Sequence, residues 1–453
     1  MEVFGSSGTR GVVNDGVTPS TVLELASAVG GHWLAAGVDR IAIGRDTRTS
    51  GDALASVAAG TLASVGLGVD RLGVIPTPGA QTYAATEDVP AVMITASHNP
   101  PEYNGVKLIG PDGRELGLST LESIEARLDE SPSASWDEIG AIRAVDGARA
   151  RYIEGVLDAV DRETIADAEL TVVIDPGHGA GATTSPEIFR RLGCTVRTIN
   201  AQPDGHFPGR DPEPVAENLG DLRAAVANST ADLGIAHDGD ADRAIFVDES
   251  GTQIEGDAAF AALADAVLES GDTVVTAVST SRRLGRVADR AGARVEYTPI
   301  GSTQIVSTIA DLESSGRSVP IAGEGNGGIL FPAYRAIRDG AYTAARFCEL
   351  LADAPASAVV ADYAGSHIVR ENVTYESGAE RDAMLDAIET VAAAADATVN
   401  RTDGVRLEYA DGWVLARPSG TEPLIRIYAE ADTADRAAEL VEQFRSALAA
   451  ASA

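Results

Sequence analysis

Lysine is all but missing from this chain: of its 35 basic residues, Lys107 is the one lysine and every other is arginine. A guanidinium keeps its proton at any working pH, whereas an ammonium has a pKa that burial can lower until it exchanges one. A single lysine against that background points to a proton-handling task at position 107. Cysteine is nearly as scarce. Cys194 and Cys348 lie far apart, which excludes a disulfide framework or a thiolate metal site and makes a reducing compartment the expectation. No stretch reaches the roughly 18 uninterrupted apolar residues of a membrane span. The start, Met1-Glu2-Val3-Phe4-Gly5-Ser6, has neither the basic opening nor the apolar core of a signal peptide, so a cytoplasmic protein is expected.

Positive charge is short overall. The 35 basic residues face 68 acidic ones, giving a net charge of −33 and a pI near 4.4. Such a surface repels polyanions, which excludes nucleic acid and anionic membrane as partners. Carboxylates spread along the whole chain, with almost no lysine, are the balance of a halophilic protein from a salt-rich cytoplasm.

At 453 residues the chain exceeds one compact core, and a hydrophobic share of 44% leaves room for several. Three strand-to-loop-to-helix openings recur about a domain apart. The first is Ile41-Ala42-Ile43-Gly44 before Arg45-Asp46-Thr47-Arg48, with a helical pattern from Gly51. The second is Thr171-Val172-Val173-Ile174 before Asp175-Pro176-Gly177-His178-Gly179, and the third is Thr273-Val274-Val275-Thr276 before Ser279-Thr280-Ser281. Their likeness hints at a triplicated α/β module. Ser119-Thr120-Leu121-Glu122 reads as a capping box, with Leu121, Ile124 and Leu128 as the apolar stripe of a helix that closes the first domain before a linker, Asp129 to Ser133. After Tyr363 the texture changes to the strands Trp413 to Ala416 and Ile425 to Tyr428. A final helix there carries Leu440, Val441, Phe444 and Leu448 on one face. The expected fold class is α/β, three related α/β domains (1–145, 146–250 and 251–362) plus a C-terminal α+β domain (363–453).

Chemistry concentrates in a few loops. Gly5-Ser6-Ser7-Gly8-Thr9-Arg10-Gly11 is a glycine-rich loop with one cation, or a flexible turn. Thr95-Ala96-Ser97-His98-Asn99-Pro100 follows the apolar run Ala91 to Ile94, where open α/β sheets place their sites. Ser97 and Lys107 are candidate nucleophile and proton handler. Asp238-Gly239-Asp240-Ala241-Asp242-Arg243 sets three carboxylates at alternate positions, able to converge on one hard cation such as Mg²⁺, with Arg243 suited to a phosphate sharing that metal. A calcium loop of the EF-hand type, closed by Glu249, competes with that reading, although Arg243 stands where such a loop needs glycine. Gly323-Glu324-Gly325-Asn326-Gly327-Gly328 offers an acid and an amide to vicinal sugar hydroxyls, or forms a turn capped by Asn326. Arg417-Pro418-Ser419-Gly420-Thr421-Glu422-Pro423 with Arg426 suits a phosphate monoester, or makes a rigid turn.

These motifs, in this order and spacing, resemble the α-D-phosphohexomutase superfamily, the family of phosphoglucomutase, phosphomannomutase and phosphoglucosamine mutase, over nearly the whole chain. The resemblance implies four domains around a central cleft and a phosphoserine at Ser97, whose phosphate ligates Mg²⁺ with Asp238, Asp240 and Asp242. It implies transfer of that phosphate to the free hydroxyl of a hexose monophosphate, turnover of the 1,6-bisphosphate in the cleft, and return of the other phosphate to Ser97. Hexose 1,6-bisphosphate is then the activator. Lys107 matches the family's acid/base lysine, and His98, beside the serine, joins the implied catalytic residues. By the same matching Arg10 and Arg243 steady the transferring phosphoryl group, and Glu324, Asn326 and Gly301 contact the sugar. Arg417, Ser419, Gly420, Thr421 and Arg426 hold the phosphate that is not reacting. Where many bacterial members have serine and histidine in the sugar loop, this chain has Asn326 and Gly328, so a histidine partner is missing and more of the proton work falls to Lys107. The Asn-Gly-Gly form resembles the archaeal branch labelled phosphoglucosamine mutase. The implied partners are sugar phosphates, for a monomer or homodimer.

Two other classes stay open at this point: a metal-dependent serine phosphatase, in which water takes the phosphate, and a non-enzymatic protein that binds metal or sugar phosphate. The charge balance makes its own prediction. Withdrawing salt lengthens the range over which carboxylates repel one another, so the thermal midpoint followed by circular dichroism is expected to fall as KCl is diluted from molar to millimolar. A midpoint indifferent to KCl contradicts it.

Overall fold

In the computed structural model the short β-branched runs pair into four sheets, and the alanine-rich stretches between them coil into helices. The structure describes residues 8–130, 132–419 and 422–451, so Gly420 and Thr421, like Gly5, Ser6 and Ser7, lie outside the described residues. The first sheet comprises β1 (Thr9–Val12), β2 (Arg40–Arg45), β3 (Gly68–Val74), β4 (Ala91–Ile94), β5 (Tyr103–Ile109) and β6 (Ile142–Ala144), in the order β1-β5-β4-β2-β3-β6. The second comprises β7 (Thr171–Asp175), β8 (Thr195–Thr198), β9 (Leu233–Ala236), β10 (Ile245–Asp248) and β11 (Gln253–Ile254), in the order β11-β10-β9-β7-β8. The third takes β12 (Thr273–Ala277), β13 (Arg294–Thr298), β14 (Ala322–Gly323), β15 (Ile329–Phe331) and β16 (Arg335–Arg338), in the order β13-β12-β14-β15-β16.

One pattern recurs in all three. A central strand, β2, β7 or β12, lies between two parallel neighbours, and the next strand of the chain folds back antiparallel on the second of them. Those central strands are the three openings read from the sequence, so the likeness is one of topology as well as of pattern. The loop between that second parallel neighbour and its antiparallel return carries Ser97 in the first sheet, the three aspartates in the second and Glu324 in the third. Repetition of the module therefore brings three chemically different loops to equivalent corners.

The fourth sheet is antiparallel, β17 (His367–Thr374), β18 (Thr398–Asn400), β19 (Val405–Tyr409), β20 (Gly412–Pro418) and β21 (Leu424–Ala431), in the order β17-β21-β20-β19-β18. Leu440, Val441, Phe444 and Leu448 bury the last helix against it. Two buried charges of opposite sign dock this layer on the third. Arg406 lies 5.0 Å from the Tyr297 ring and 4.1 Å from that of Trp413, and donates to the carbonyls of Val278 and Thr280. Glu430 accepts from Ser281 Oγ at 2.7 Å and Arg282 N at 3.0 Å, at the positive end of the helix Arg282–Ala291.

Several local expectations fail. The helix Leu118–Glu125 starts before Ser119, with Gly117 at its N-cap and no side-chain cap, so Ser119 falls inside the first turn. A capping box does form at Thr18 and Thr21, ahead of the helix Pro19–Ala35. Nor does the later helix close the first unit, because the chain runs on through the stretch read as a linker and adds β6 in parallel to β3. Thr9, Arg10 and Gly11 form no flexible turn but the edge strand β1, with Arg10 opposite Gly105 on β5. A Cβ at Gly105 would collide with the Thr9 carbonyl, so only glycine lets β1 lie there. Among the described residues no helix is long and apolar enough to cross a membrane.

Candidate active site

The serine loop is held from behind by one arginine. Ser97 takes the left-handed conformation, φ 51°, which a serine adopts only where its surroundings impose it. Its N–H donates to Thr95 Oγ1 at 2.9 Å, and Thr95 Oγ1 donates to Asp46 Oδ2 at 2.6 Å. Arg48, fully buried, gathers the carbonyls of Ser97 (2.9 Å), Asn99 (2.6 Å), Pro100 (2.5 Å) and Tyr103 (2.9 Å), and pairs with Asp46 at 3.0 Å. A single guanidinium thus satisfies four carbonyls of one tight loop. Sequence reasoning passed over Arg48, whose only trace was its place in a polar loop after a strand.

Facing this loop, between β9 and β10, Asp238, Asp240 and Asp242 are buried, with one oxygen of each within 4.8 Å of the others. Among the described residues no other cluster of this kind occurs. Asp238 Oδ2 accepts from Ser97 Oγ at 2.7 Å. Asp240 Oδ2 accepts from Thr77 Oγ1 at 2.5 Å and Lys107 Nζ at 2.7 Å. Asp242 Oδ2 accepts from Lys107 Nζ at 2.9 Å and Arg338 Nη2 at 2.8 Å. The Oδ1 atoms of Asp240 and Asp242 are buried without a partner. Burying an acceptor unsatisfied costs about 1–3 kcal/mol, and two such oxygens beside a third carboxylate and a hydroxyl fit a hard cation such as Mg²⁺. The EF-hand alternative falls away, because strands flank the loop and Glu249 turns aside to accept from Ser357 N at 3.1 Å.

The field inside the cluster divides its members. Burial, then Asp240 and Asp242, push Asp238 up to about 7. Burial would raise Asp240 too, but the Lys107 ammonium outweighs it and holds that carboxyl below its ordinary value. Lys107 departs from the sequence expectation. Burial lowers it, yet Asp240 and Asp242 overcome burial and leave its pKa raised. His98 is pushed down to about 2 by burial, then by Arg243 and Arg10. Its neutral ring stands with Nδ1 3.1 Å from Arg243 Nη2 and 3.4 Å from Ser97 Oγ, an acceptor that fixes Arg243 beside the serine. The Nε atoms of Arg10 and Arg243 are buried without a hydrogen-bond acceptor, that of Arg243 lying 3.8 Å from Asp238 Oδ2 and 3.9 Å from Asp242 Oδ1, which suits an anion between them.

Arg243 also lines a cavity of about 740 Å³, together with Glu324, Asn326, Arg417 and Arg426. Asn326 donates to Glu324 Oε2 at 3.3 Å and caps Gly328 N at 3.0 Å, so the loop is at once a capped turn and a pair of polar groups facing the cavity. Gly301, φ 131°, opens the helix Ser302–Ser314 next to the cavity residue Ile300. Arg417 and Arg426 stand directly opposite each other on β20 and β21, paired with Asp403 at 3.0 Å and Glu422 at 2.8 Å. Like charges in that register repel, and a phosphate between them relieves the repulsion. Ser419 lies just beyond β20, its N–H bonded to the Leu424 carbonyl at 2.9 Å.

Replacing Arg48 by methionine removes the donor of four carbonyls and leaves Asp46 without its cation, an expected loss of about 3–5 kcal/mol in urea unfolding. A variant within about 1 kcal/mol of the parent contradicts the clamp.

Models of the phosphoglucomutase/phosphomannomutase family match in four successive blocks: alpha/beta/alpha domain I over residues 1–135, domain II over 150–251, domain III over 255–368 and the C-terminal domain over 372–447. The chain is 40% identical over 450 residues to the phosphoglucomutase/phosphomannomutase of Thermococcus kodakarensis, covering 97% of each. It is 35% identical over 455 residues to the phosphoglucosamine/phosphogalactosamine mutase of Sulfurisphaera tokodaii, covering 98% of each. The crystal structure of a phosphoglucomutase/phosphomannomutase family protein from Burkholderia thailandensis superimposes with a TM-score of 0.85 at 28% identity, covering 99% of this chain and 97% of that one. With all four domains matched in order and relatives aligned from end to end, the chain belongs to the phosphoglucomutase/phosphomannomutase family.

Proposed function

We propose that this protein is a phosphohexomutase, interconverting hexose 6-phosphate and hexose 1-phosphate through a phosphoserine at Ser97 and a 1,6-bisphosphate. The observation that carries it is the hydroxyl of Ser97, 2.7 Å from Asp238, in a cluster whose Arg243 opens onto the same cavity as the opposed Arg417 and Arg426. A phosphatase needs one phosphate site. A mutase needs two, because each phosphate of one sugar must be held while the other reacts, and the cavity offers a second.

Magnesium fits the free oxygens of Asp240 and Asp242 with Asp238 and Ser97, and when bound it supplies compensating charge for a transferring phosphoryl group. Arg243, steadied by His98, and Arg10 stabilise that group as its charge shifts between oxygens. The sugar hydroxyl that attacks must lose a proton, and in this reading Lys107 takes it and returns it on the second leg. Its raised pKa comes from the charge of Asp240 and Asp242. A cation held by these aspartates would compensate that charge, and burial would then favour the neutral amine. Glu324 and Asn326 hold the sugar hydroxyls, with Gly301 shaping the neighbouring loop. Arg417, Ser419, Gly420, Thr421 and Arg426 grip the distal phosphate in both orientations. A hexose 1,6-bisphosphate primes Ser97, which makes it the activator.

Among sugars, glucosamine phosphate comes first, on the strength of the Sulfurisphaera relative's name, and glucose and mannose phosphates second, on that of the Thermococcus relative. Lys107→Arg tests the proton assignment, since it keeps the charge and removes the exchangeable proton. Turnover is expected to fall about 10²–10⁴-fold, while calorimetry still records binding of Mg²⁺ and hexose phosphate. Parent-like turnover would remove Lys107 from the chemistry.

A further inference from the structure

Arg338 ends β16 and is buried, yet nothing in the sequence singled it out. Its Nη2 donates to Asp242 Oδ2 at 2.8 Å and reaches Glu115 Oε1 at 3.5 Å, while its Nε has no partner. Glu115 in turn accepts from Ser302 Oγ at 2.6 Å. The contact with Asp242 has a geometric consequence. It occupies Oδ2 and leaves Oδ1, which accepts no hydrogen bond and has Arg243 Nε 3.9 Å away, as the oxygen open to a cation.

The space that Arg338 fills is set by residue 328. A Cβ built on Gly328 would stand 2.7 Å from Arg338 Cδ, 3.1 Å from Asn326 Oδ1 and 3.6 Å from Arg338 Nη1. Contacts below about 3 Å between a carbon and a buried methylene force one of them to move. Gly328 is not among the glycines with positive φ, so its backbone conformation is open to any residue. What the position requires is the absence of a side chain. Leu330 lies opposite Arg338 across β15 and β16, so the arginine is anchored by its strand.

We infer that Gly328 and Arg338 work as one unit: the bare backbone at 328 admits the Arg338 side chain, and Arg338 is a positioning residue that turns the free oxygen of Asp242 toward a divalent cation. Hydrogen-bonded partners of a metal-ligating carboxylate fix its orientation, and their loss typically weakens metal binding about 10–100-fold. A guanidinium suits the task because its donors are fixed in a plane and its charge is permanent. The inference rests on the mutase reading only for the identity of the reaction. The coupling between the two positions is measurable on the metal alone.

The test is a double-mutant cycle on Mn²⁺ binding, followed by the electron paramagnetic resonance of the free and bound ion, with Gly328→Ala, Arg338→Ala and the pair. Gly328→Ala alters no charge, so a change in affinity reports geometry. Expected is about a tenfold loss of Mn²⁺ affinity for Gly328→Ala in the parent, and less than about a twofold effect of the same substitution once Arg338 is alanine. Hexose phosphate turnover should fall with it, with KM changing less than kcat. Equal effects of Gly328→Ala with and without Arg338, or no effect in the parent, would overturn the inference. If Arg338→Ala does not fold, Arg338→Val replaces it in the cycle: valine suits a strand and has no atom at the δ position, so Gly328→Ala should again lose its effect, and an unchanged tenfold loss overturns the pairing. A protein that shows the coupling but turns over no hexose phosphate would sink the mutase reading and leave this one standing.

Discussion

Three buried carboxylates cannot share one loop unless cations and donors reach them, and the packing of the first three modules answers that constraint. Taking such charges out of water costs several kcal/mol per ion, offset only by partners in good geometry. The partners come from elsewhere: Thr77, Ser97 and Lys107 from the first module and Arg338 from the third, all on aspartates of the second. Module packing and site chemistry are therefore the same set of contacts. The lone lysine also gains a steric reason. A compact ammonium fits between two carboxylates at 2.7 and 2.9 Å, a place for a point charge more than for a planar fork.

Repetition explains how different chemistries meet. In each of the first three sheets the loop between a parallel neighbour of the central strand and its antiparallel return carries the polar residues of the candidate site. Equivalent corners of three related modules, turned toward one another, bring together a hydroxyl, an acidic triad and an acid–amide pair. The fourth layer is built differently, an antiparallel sheet whose hairpin sets two arginines face to face. Arg406 and Glu430 seat it on the third, the first against two carbonyls of one loop and the second against the Ser281 hydroxyl and the Arg282 N–H at a helix start.

Much of this was legible beforehand for local reasons. The strands β2, β7 and β12 announce themselves as β-branched runs, and the four polar loops of the candidate site by their residue types. What escaped depends on distance along the chain. Arg48 clamps carbonyls 49 to 55 residues away, and Arg338 meets Asp242 across 96; neither contact leaves a local signature. The protonation of Lys107 was misjudged for the same reason, since the field that raises it comes from residues 133 and 135 positions distant. Ser119 misled differently: the Ser-x-x-Glu pattern is as compatible with a first helical turn as with a cap, and Gly117 took the cap.

The central claim is that Ser97 carries phosphate between the two ends of a sugar. Peptide mass mapping after incubation with Mg²⁺ and glucose 1,6-bisphosphate measures it directly. One phosphoryl group is expected, on the peptide containing Ser97, and it should leave on addition of hexose monophosphate as new bisphosphate forms. Turnover by a protein whose Ser97 stays bare, or whose phosphate sits on another residue, would contradict it.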